Sequence, residues 1–151
     1  MQTQEQEQQE QQEQQEQQEQ ESVVLSVSQC WALLREAVVG RLAVVVDGAP
    51  DIFPINHVVD HGALVFRTAE GTKSRATDGP VAFEVDGYDA SCGEAWSVVA
   101  KGRAHEVRRL HDMLDALDLP LEPWHAADKP WFFRLEPESL TGCRFSVSTS
   151  R

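Results

Sequence analysis

Two cations, three hydroxyls and a glycine fall within eight consecutive residues of this chain: Arg67-Thr68-Ala69-Glu70-Gly71-Thr72-Lys73-Ser74. The apolar residues before them, Ala63 to Phe66, predict a short strand that runs into Arg67 and Thr68. The pattern breaks at Gly71 and restarts as Thr72-Lys73-Ser74-Arg75-Ala76, which reads as the first turn of a helix with Thr72 as its cap. Guanidinium, ammonium and helix N–H groups collected this way suit a phosphate, because each gives a charge-assisted or dipole-assisted bond to an anion. The same residues also read as a solvated strand-to-helix turn. The stretch alone leaves both readings open.

Other chemistry-bearing residues are less persuasive. His57 and His61 stand four apart, but on a strand entering a turn they share no helical face and have no third ligand nearby, so no metal site is expected. Glu84 and Asp86 point the same way on one predicted strand and read as its wet face rather than as an acid/base pair. Cys92 sits in a polar loop with no histidine beside it, which argues against nucleophilic catalysis. No Gly-x-Ser-x-Gly, Walker or Gly-x-Gly-x-x-Gly motif occurs. Trp124-His125 lies in a loop and reads as packing.

Composition narrows the function class. Residues 1–21 are almost wholly Gln and Glu, with glutamates at 7, 10, 13, 16 and 19 and no apolar stripe. The expectation for them is a disordered or transiently helical tail outside the fold. Seven of the 25 acidic residues lie there, so of the net charge of −12 only −5 belongs to residues 22–151. That remainder is one ordinary domain with no basic face, so neither nucleic acid nor an anionic membrane is an expected partner. Three cysteines without a CxxC spacing suit a reducing compartment. With no signal-peptide pattern and no membrane-length apolar run, the chain reads as cytoplasmic.

The elements that must position Arg67 to Ser74 follow from periodicity. Ser28 is expected to cap a helix over Gln29–Val39, with Trp31, Leu34 and Val38 on one side and Gly40 at its end. Arg41–Val46 and Asp51–Val59 read as a hairpin around Asp47-Gly48-Ala49-Pro50, with Pro54 marking an edge or a bulge. Asp60-His61-Gly62 then turns into Ala63–Thr68. After a short helix over 72–77, strands are expected at Val81–Asp86 and Glu94–Val107, a helix at Arg108–Leu117, and two last strands at Trp131–Leu135 and Leu140–Val147. Mainly β, with long strands in a meander, the pattern favours a closed or nearly closed six-stranded antiparallel barrel over an open sheet.

The order of these features resembles the pyridoxamine 5′-phosphate oxidase-like flavoproteins, the FMN-binding split β-barrel. The resemblance rests on Val39-Gly40-Arg41-Leu42-Ala43, Ile52-Phe53-Pro54-Ile55-Asn56-His57 and Phe66-Arg67-Thr68-Ala69-Glu70-Gly71-Thr72-Lys73. It continues through Val81 to Asp86, Trp96-Ser97-Val98-Val99-Ala100-Lys101-Gly102-Arg103-Ala104, Phe133 to Pro137 and Leu140 to Arg144. It covers about residues 26 to 147. It implies a homodimer with FMN in a groove between subunits. Arg67, Thr68, Gly71, Thr72, Lys73 and Ser74 would then lie at the phosphate and Pro54, Ile55 and Asn56 along the isoalloxazine ring. Trp96, Ser97 and Val98 would line the groove, with Trp131 and Arg144 as further reaches toward the partner's flavin. Only Arg144 follows Gly142-Cys143 where relatives often carry two arginines, and the substrate-reading segment of the true vitamin B6 enzymes is absent.

The activity implied is flavin-dependent reduction or oxidation of a small molecule, with flavin N5 as the redox centre. Two other classes fit the same fold: a flavin or haem carrier without turnover, and a reductase using an 8-hydroxy-5-deazaflavin coenzyme, for which Arg75 would add a cation.

Overall fold

The computed structural model describes residues 2–20, 22–68, 79–107 and 131–147. The expected helices over 72–77 and 108–117 and the loop containing Trp124-His125 lie outside them. Two helices and seven strands follow in order: α1 (Gln2–Gln20), β1 (Ser22–Val24), α2 (Val27–Glu36), β2 (Val39–Val46), β3 (Ala49–Asp60), β4 (Ala63–Thr68), β5 (Pro80–Asp89), β6 (Glu94–Glu106) and β7 (Trp131–Ser146).

All strand pairings are antiparallel, and six strands close a ring in the order β7-β4-β3-β2-β5-β6, with β6 returning to β7. The strand count is therefore seven rather than six. The seventh, β1, pairs with β7 at Ser22↔Phe145 to Val24↔Cys143, beyond the point where β4 ends. Both hairpin turns come out as their sequences suggest. Asp47-Gly48 (φ 51° and 77°) and His61-Gly62 (φ 46° and 74°) occupy the left-handed region that a two-residue turn of the primed type needs.

The last two expected strands are a single one of 16 residues. Pro137 does not break it because the register with β6 slips there, from Lys101↔Ser139 to Gly102↔Pro137, leaving Glu138 as a bulge. Gly102 makes that slip possible. A Cβ at this position would stand 2.9 Å from the Glu136 carbonyl oxygen and 3.3 Å from the Glu138 nitrogen.

Helix α2 begins earlier than the sequence suggested. Ser26 is its cap, in a reciprocal box with Gln29: the Gln29 N–H donates to Ser26 Oγ (3.2 Å) and the Ser26 N–H to Gln29 Oε1 (2.8 Å). It also ends earlier, at Ala37, and Gly40 belongs to β2 rather than to the helix end. The β-branched pair Val38-Val39 favours extended backbone there.

Alternation divides β2, β3, β5 and β6 into an inward and an outward set, while Ala63 to Phe66 of β4 are buried on both faces. Leu42, Val44, Ile55, Leu64, Phe66, Phe83, Val85, Val98, Phe133 and Leu135 fill the ring, and Cys30 and Leu34 of α2 join them without any exposure. The tract before β1 forms α1, whose side chains at 3–14 are all exposed, and the buried core starts only at Leu25. Deleting residues 2–21 is therefore expected to shift the thermal midpoint by less than about 2 °C. A larger fall on a melting curve would mean that the tract docks on the barrel.

Candidate functional site

The ladder between β3 and β4 runs only from Asp60↔Ala63 to His57↔Phe66. Beyond it the strands part. Residues Asn56 and earlier continue along β2, reaching Val39↔Asn56 and Arg41↔Pro54, while Arg67 and Thr68 continue along β7 opposite Phe132 and Trp131. The separation makes a fork in the barrel wall, and the residues expected to hold a ligand lie on its two prongs.

Strand parity sorts them. Pro54 is exposed and Asn56 half-buried on the outer face of β3, whereas Ile55 between them points inward and is 2% exposed. On β4, Arg67 faces outward with its guanidinium 4.9 Å above the Phe132 ring. Thr68 shares the inward face of Leu64 and Phe66, is 1% exposed, and its Oγ1 has no hydrogen-bond partner. A ligand on the outer face would meet Arg67, Asn56 and Pro54 through side chains, but Thr68 only through its backbone. Gly71, Thr72, Lys73 and Ser74 lie outside the described residues.

Trp96, Ser97 and Val98 stand elsewhere. They belong to β6, three strands round the ring from β3 in either direction. Val98 is fully buried in the core. Trp96 leans over Gly87, where a Cβ would come within 2.5 to 2.6 Å of the indole, so a glycine is required for that ring to lie flat. Ser97 faces outward between Asp86 and Cys143, with Oγ to Cys143 Sγ at 3.7 Å. Arg144, opposite Trp96, is paired with Glu94 at 3.2 Å. Trp131 is opposite Thr68, at the inner side of the fork. Tyr88, Trp96 and Phe145 wall an open depression of about 510 Å³ beside Asp86 and Ser97. One chain therefore carries the two expected halves of the site well apart on the barrel, Asn56 three strands from β6 and Arg67 at the far end of β7 from Arg144.

Sequence reasoning missed what lies between them. Arg41, next to Pro54, donates to Glu84 (3.0 Å) and Asp86 (3.2 Å), so these carboxylates are a clamp on a cation rather than an idle wet face. Asp86 and then Glu84 hold the guanidinium all the more firmly charged. With about half of the Arg41 side chain exposed, the pairing contributes little to stability, under about 1 kcal/mol. The available signal was the cross-strand register Arg41↔Glu84, which single-strand alternation does not reveal.

The two histidines separate completely. His57 is buried at the inner end of the β3–β4 ladder, and His61 is exposed in the turn on Asp60. Among the described residues no three His, Cys, Asp or Glu side chains gather as a metal site. No described helix is long and apolar enough to cross a membrane.

Comparison with known proteins places this geometry. The family model described as pyridoxamine 5′-phosphate oxidase matches residues 26–144. A FAD-binding protein of Mycobacterium smegmatis is similar in structure, with a TM-score of 0.72 and 38% identity over 83% of this chain and 99% of its own. A Corynebacterium glutamicum structure, named as a candidate pyridoxamine 5′-phosphate oxidase, matches with a TM-score of 0.74 and 34% identity over 85% and 96% of the two chains. An uncharacterised Mycobacterium tuberculosis protein is 33% identical over 87% of this chain and 90% of its own.

Proposed function

The chain belongs to the pyridoxamine 5′-phosphate oxidase family, and from that premise we propose that it binds a flavin between two copies of itself and serves as an oxidoreductase of a small molecule. One observation carries the reading. Asn56 lies three strands round a filled barrel from the Trp96–Ser97 strand, and Arg67 faces β7 at Phe132, far along that strand from Arg144 opposite Trp96, so a ligand that meets both sets takes them from two chains. The similarity to a FAD-binding protein at 38% identity supports a flavin as that ligand.

The donor set at the fork fits such a group. Arg67, together with Lys73 a few residues on, supplies countercharge for a phosphate. The Asn56 amide can both donate to and accept from the amide-like edge of the ring system. Pro54, with no N–H to leave unsatisfied, offers a flat apolar flank. When bound, the flavin supplies hydride or electron transfer at N5. The chain's own contribution is position and polarity. FMN is the smallest flavin that uses the Arg67–Lys73 charge, and FAD, favoured by the M. smegmatis likeness, is the second reading.

The test is an absorption spectrum of the purified chain, as isolated and after FMN or FAD titration and desalting. About one flavin retained per chain is the expected result, in a species with the mass of a dimer. Failure to retain either flavin would sink the reading in favour of deazaflavin or haem. If flavin is retained, steady-state turnover of NAD(P)H with an acceptor is expected; its absence would make the protein a carrier.

A further inference from the structure

The buried imidazole of His57 has no place in the flavin reading, yet it is among the most constrained polar groups of the fold. Its Nε2 lies 2.7 Å from the carbonyl oxygen of Leu34, in the last part of α2. A carbonyl only accepts, so Nε2 carries the hydrogen and donates, which leaves Nδ1 as a bare lone pair. Nδ1 is buried and has no partner. The residue is 4% exposed, its ring stands edge-on to Phe83 at 4.8 Å, and its backbone N–H reaches the Val38 carbonyl at 3.4 Å.

Among the described residues, the groups packed around the ring offer nothing to a second proton. Across β4 the neighbour is Phe66, from β5 it is Phe83, and just before β2 it is the Val38 backbone. Helix α2 presents the Leu34 carbonyl and, a turn earlier, the buried Cys30 thiol, while Arg35 and Glu36 at its end are exposed. Asp60, the nearest acid along β3, is bonded to Arg134 and His61. A proton on Nδ1 would therefore create both a buried charge and a donor without an acceptor.

Among the described residues, α2 is tied to the ring by apolar packing of Cys30 and Leu34, with Trp31, Leu33 and Ala37 beside them, and by the side-chain bond from His57; just before the helix the Leu25 N–H donates to the Gly142 carbonyl at 2.9 Å. The strand ladders that close the ring do not involve α2. We propose that His57 is an acid-labile pin: neutral, it fastens α2 across the barrel, and protonated, it releases the helix while the ring of strands stays closed.

The direction agrees with linkage. Burial holds the imidazole below its ordinary value near 6.5, against a smaller opposing pull from the Leu34 carbonyl. The open form thus takes up protons more readily than the closed one. Docking is strongest above pH 6.5 and is lost as pH falls from there toward the depressed value.

Cys30 reports the event, because it is 0% exposed when α2 is docked. Cys92 is exposed and gives an internal reference for reagent chemistry, and Cys143 on β7 reports the ring itself. The full chain would be labelled with a pyridyl disulfide, which reacts in acid, between pH 8 and 5, and the sites counted by mass spectrometry. The expected result is a Cys30-to-Cys92 rate ratio that climbs by up to tenfold per pH unit below 6.5, with Cys143 unchanged. His57→Gln, which keeps an N–H donor but cannot charge, should abolish the climb, as should His57→Phe; if the Phe variant fails to fold, the Gln variant decides alone. A flat ratio in the natural chain overturns the proposal. So does an equal climb in His57→Gln, or Cys143 rising in step with Cys30, which would mean that the whole barrel opens.

Discussion

Replacing Arg67 and Lys73 together by alanine is expected to weaken FMN binding by about a hundred- to ten-thousand-fold, since each charge-assisted bond to a phosphate contributes about 1.5–3 kcal/mol. Arg67 sits on the outer face of the β4 prong of the fork, where its guanidinium is steadied by the Phe132 ring. Arg67→Lys keeps the charge but loses the planar fork and the stacking, so it should fall between the two extremes. Fluorescence titration of apoprotein with FMN and with riboflavin separates the phosphate contribution from the ring. The double variant should bind both ligands about equally weakly, whereas the natural chain should strongly prefer FMN. Undiminished FMN affinity in the double variant would remove the phosphate from the fork. A thermal melt is the control, because losing the Arg67–Phe132 contact alone should cost only about 0.5–1 kcal/mol.

The second large effect concerns the barrel rather than the ligand. Gly40→Val is expected to destabilise the fold by about 3 kcal/mol or more, at or beyond the upper end of ordinary overpacking. A Cβ on Gly40 would stand 2.6 Å from Phe83 Cε1 and 2.9 Å from the Glu84 carbonyl oxygen. Phe83 has no room to retreat: it is wholly buried, with Leu42 and Ala100 beside it in the ladders and His57 against its face. Because part of the clash is with a side chain and part with backbone, Gly40→Ala combined with Phe83→Leu should recover some stability but not all. Denaturant melts of the two single variants and the double variant measure that coupling. Strict additivity would show that the crowding read from the geometry is relieved elsewhere.

Much of the fold could be read from local pattern because local chemistry dictates it. Asp47-Gly48 and His61-Gly62 announce their turns, and the alternation of Val81, Phe83 and Val85 places β5 without help from the rest of the chain. The misplacements have tertiary causes. Pro137 looks like a strand end until Gly102 on the partner strand provides space for a bulge. Gly40 looks like a helix stop until Phe83 takes up the space above it. Ser28 reads as the cap from the apolar spacing alone, whereas the Ser26–Gln29 pairing, visible in the sequence, marks the true start. Pro54, by contrast, was legible as an edge: it pairs only with β2 among the described residues, beyond the end of the β3–β4 ladder.

The site was legible as residue types but not as directions. Arg67 and Thr68 are consecutive and both polar, and composition cannot say that one faces out and the other in. Nor can it say that Glu84 and Asp86 are held by Arg41, since that depends on a pairing 43 to 45 residues away in the chain. Long-range register is the information that a single sequence lacks.

Strand β7 touches three neighbours, with β4 and β1 along one edge and β6 along the other. On a ribosome, everything from β2 to β6 is complete while the barrel is still a curled sheet with two open margins, and only the last strand seals both at once. Folding should therefore await synthesis of residues 131–146, with the slow kinetics of a topology dominated by distant contacts. Until then the margins of β4 and β6 are exposed to other chains. The same seam sets residue 22 beside residue 145. A short linker there, with new ends cut in the Asp89–Gly93 turn, would pass the sealing role from β7 to β5, which joins β2 to β6.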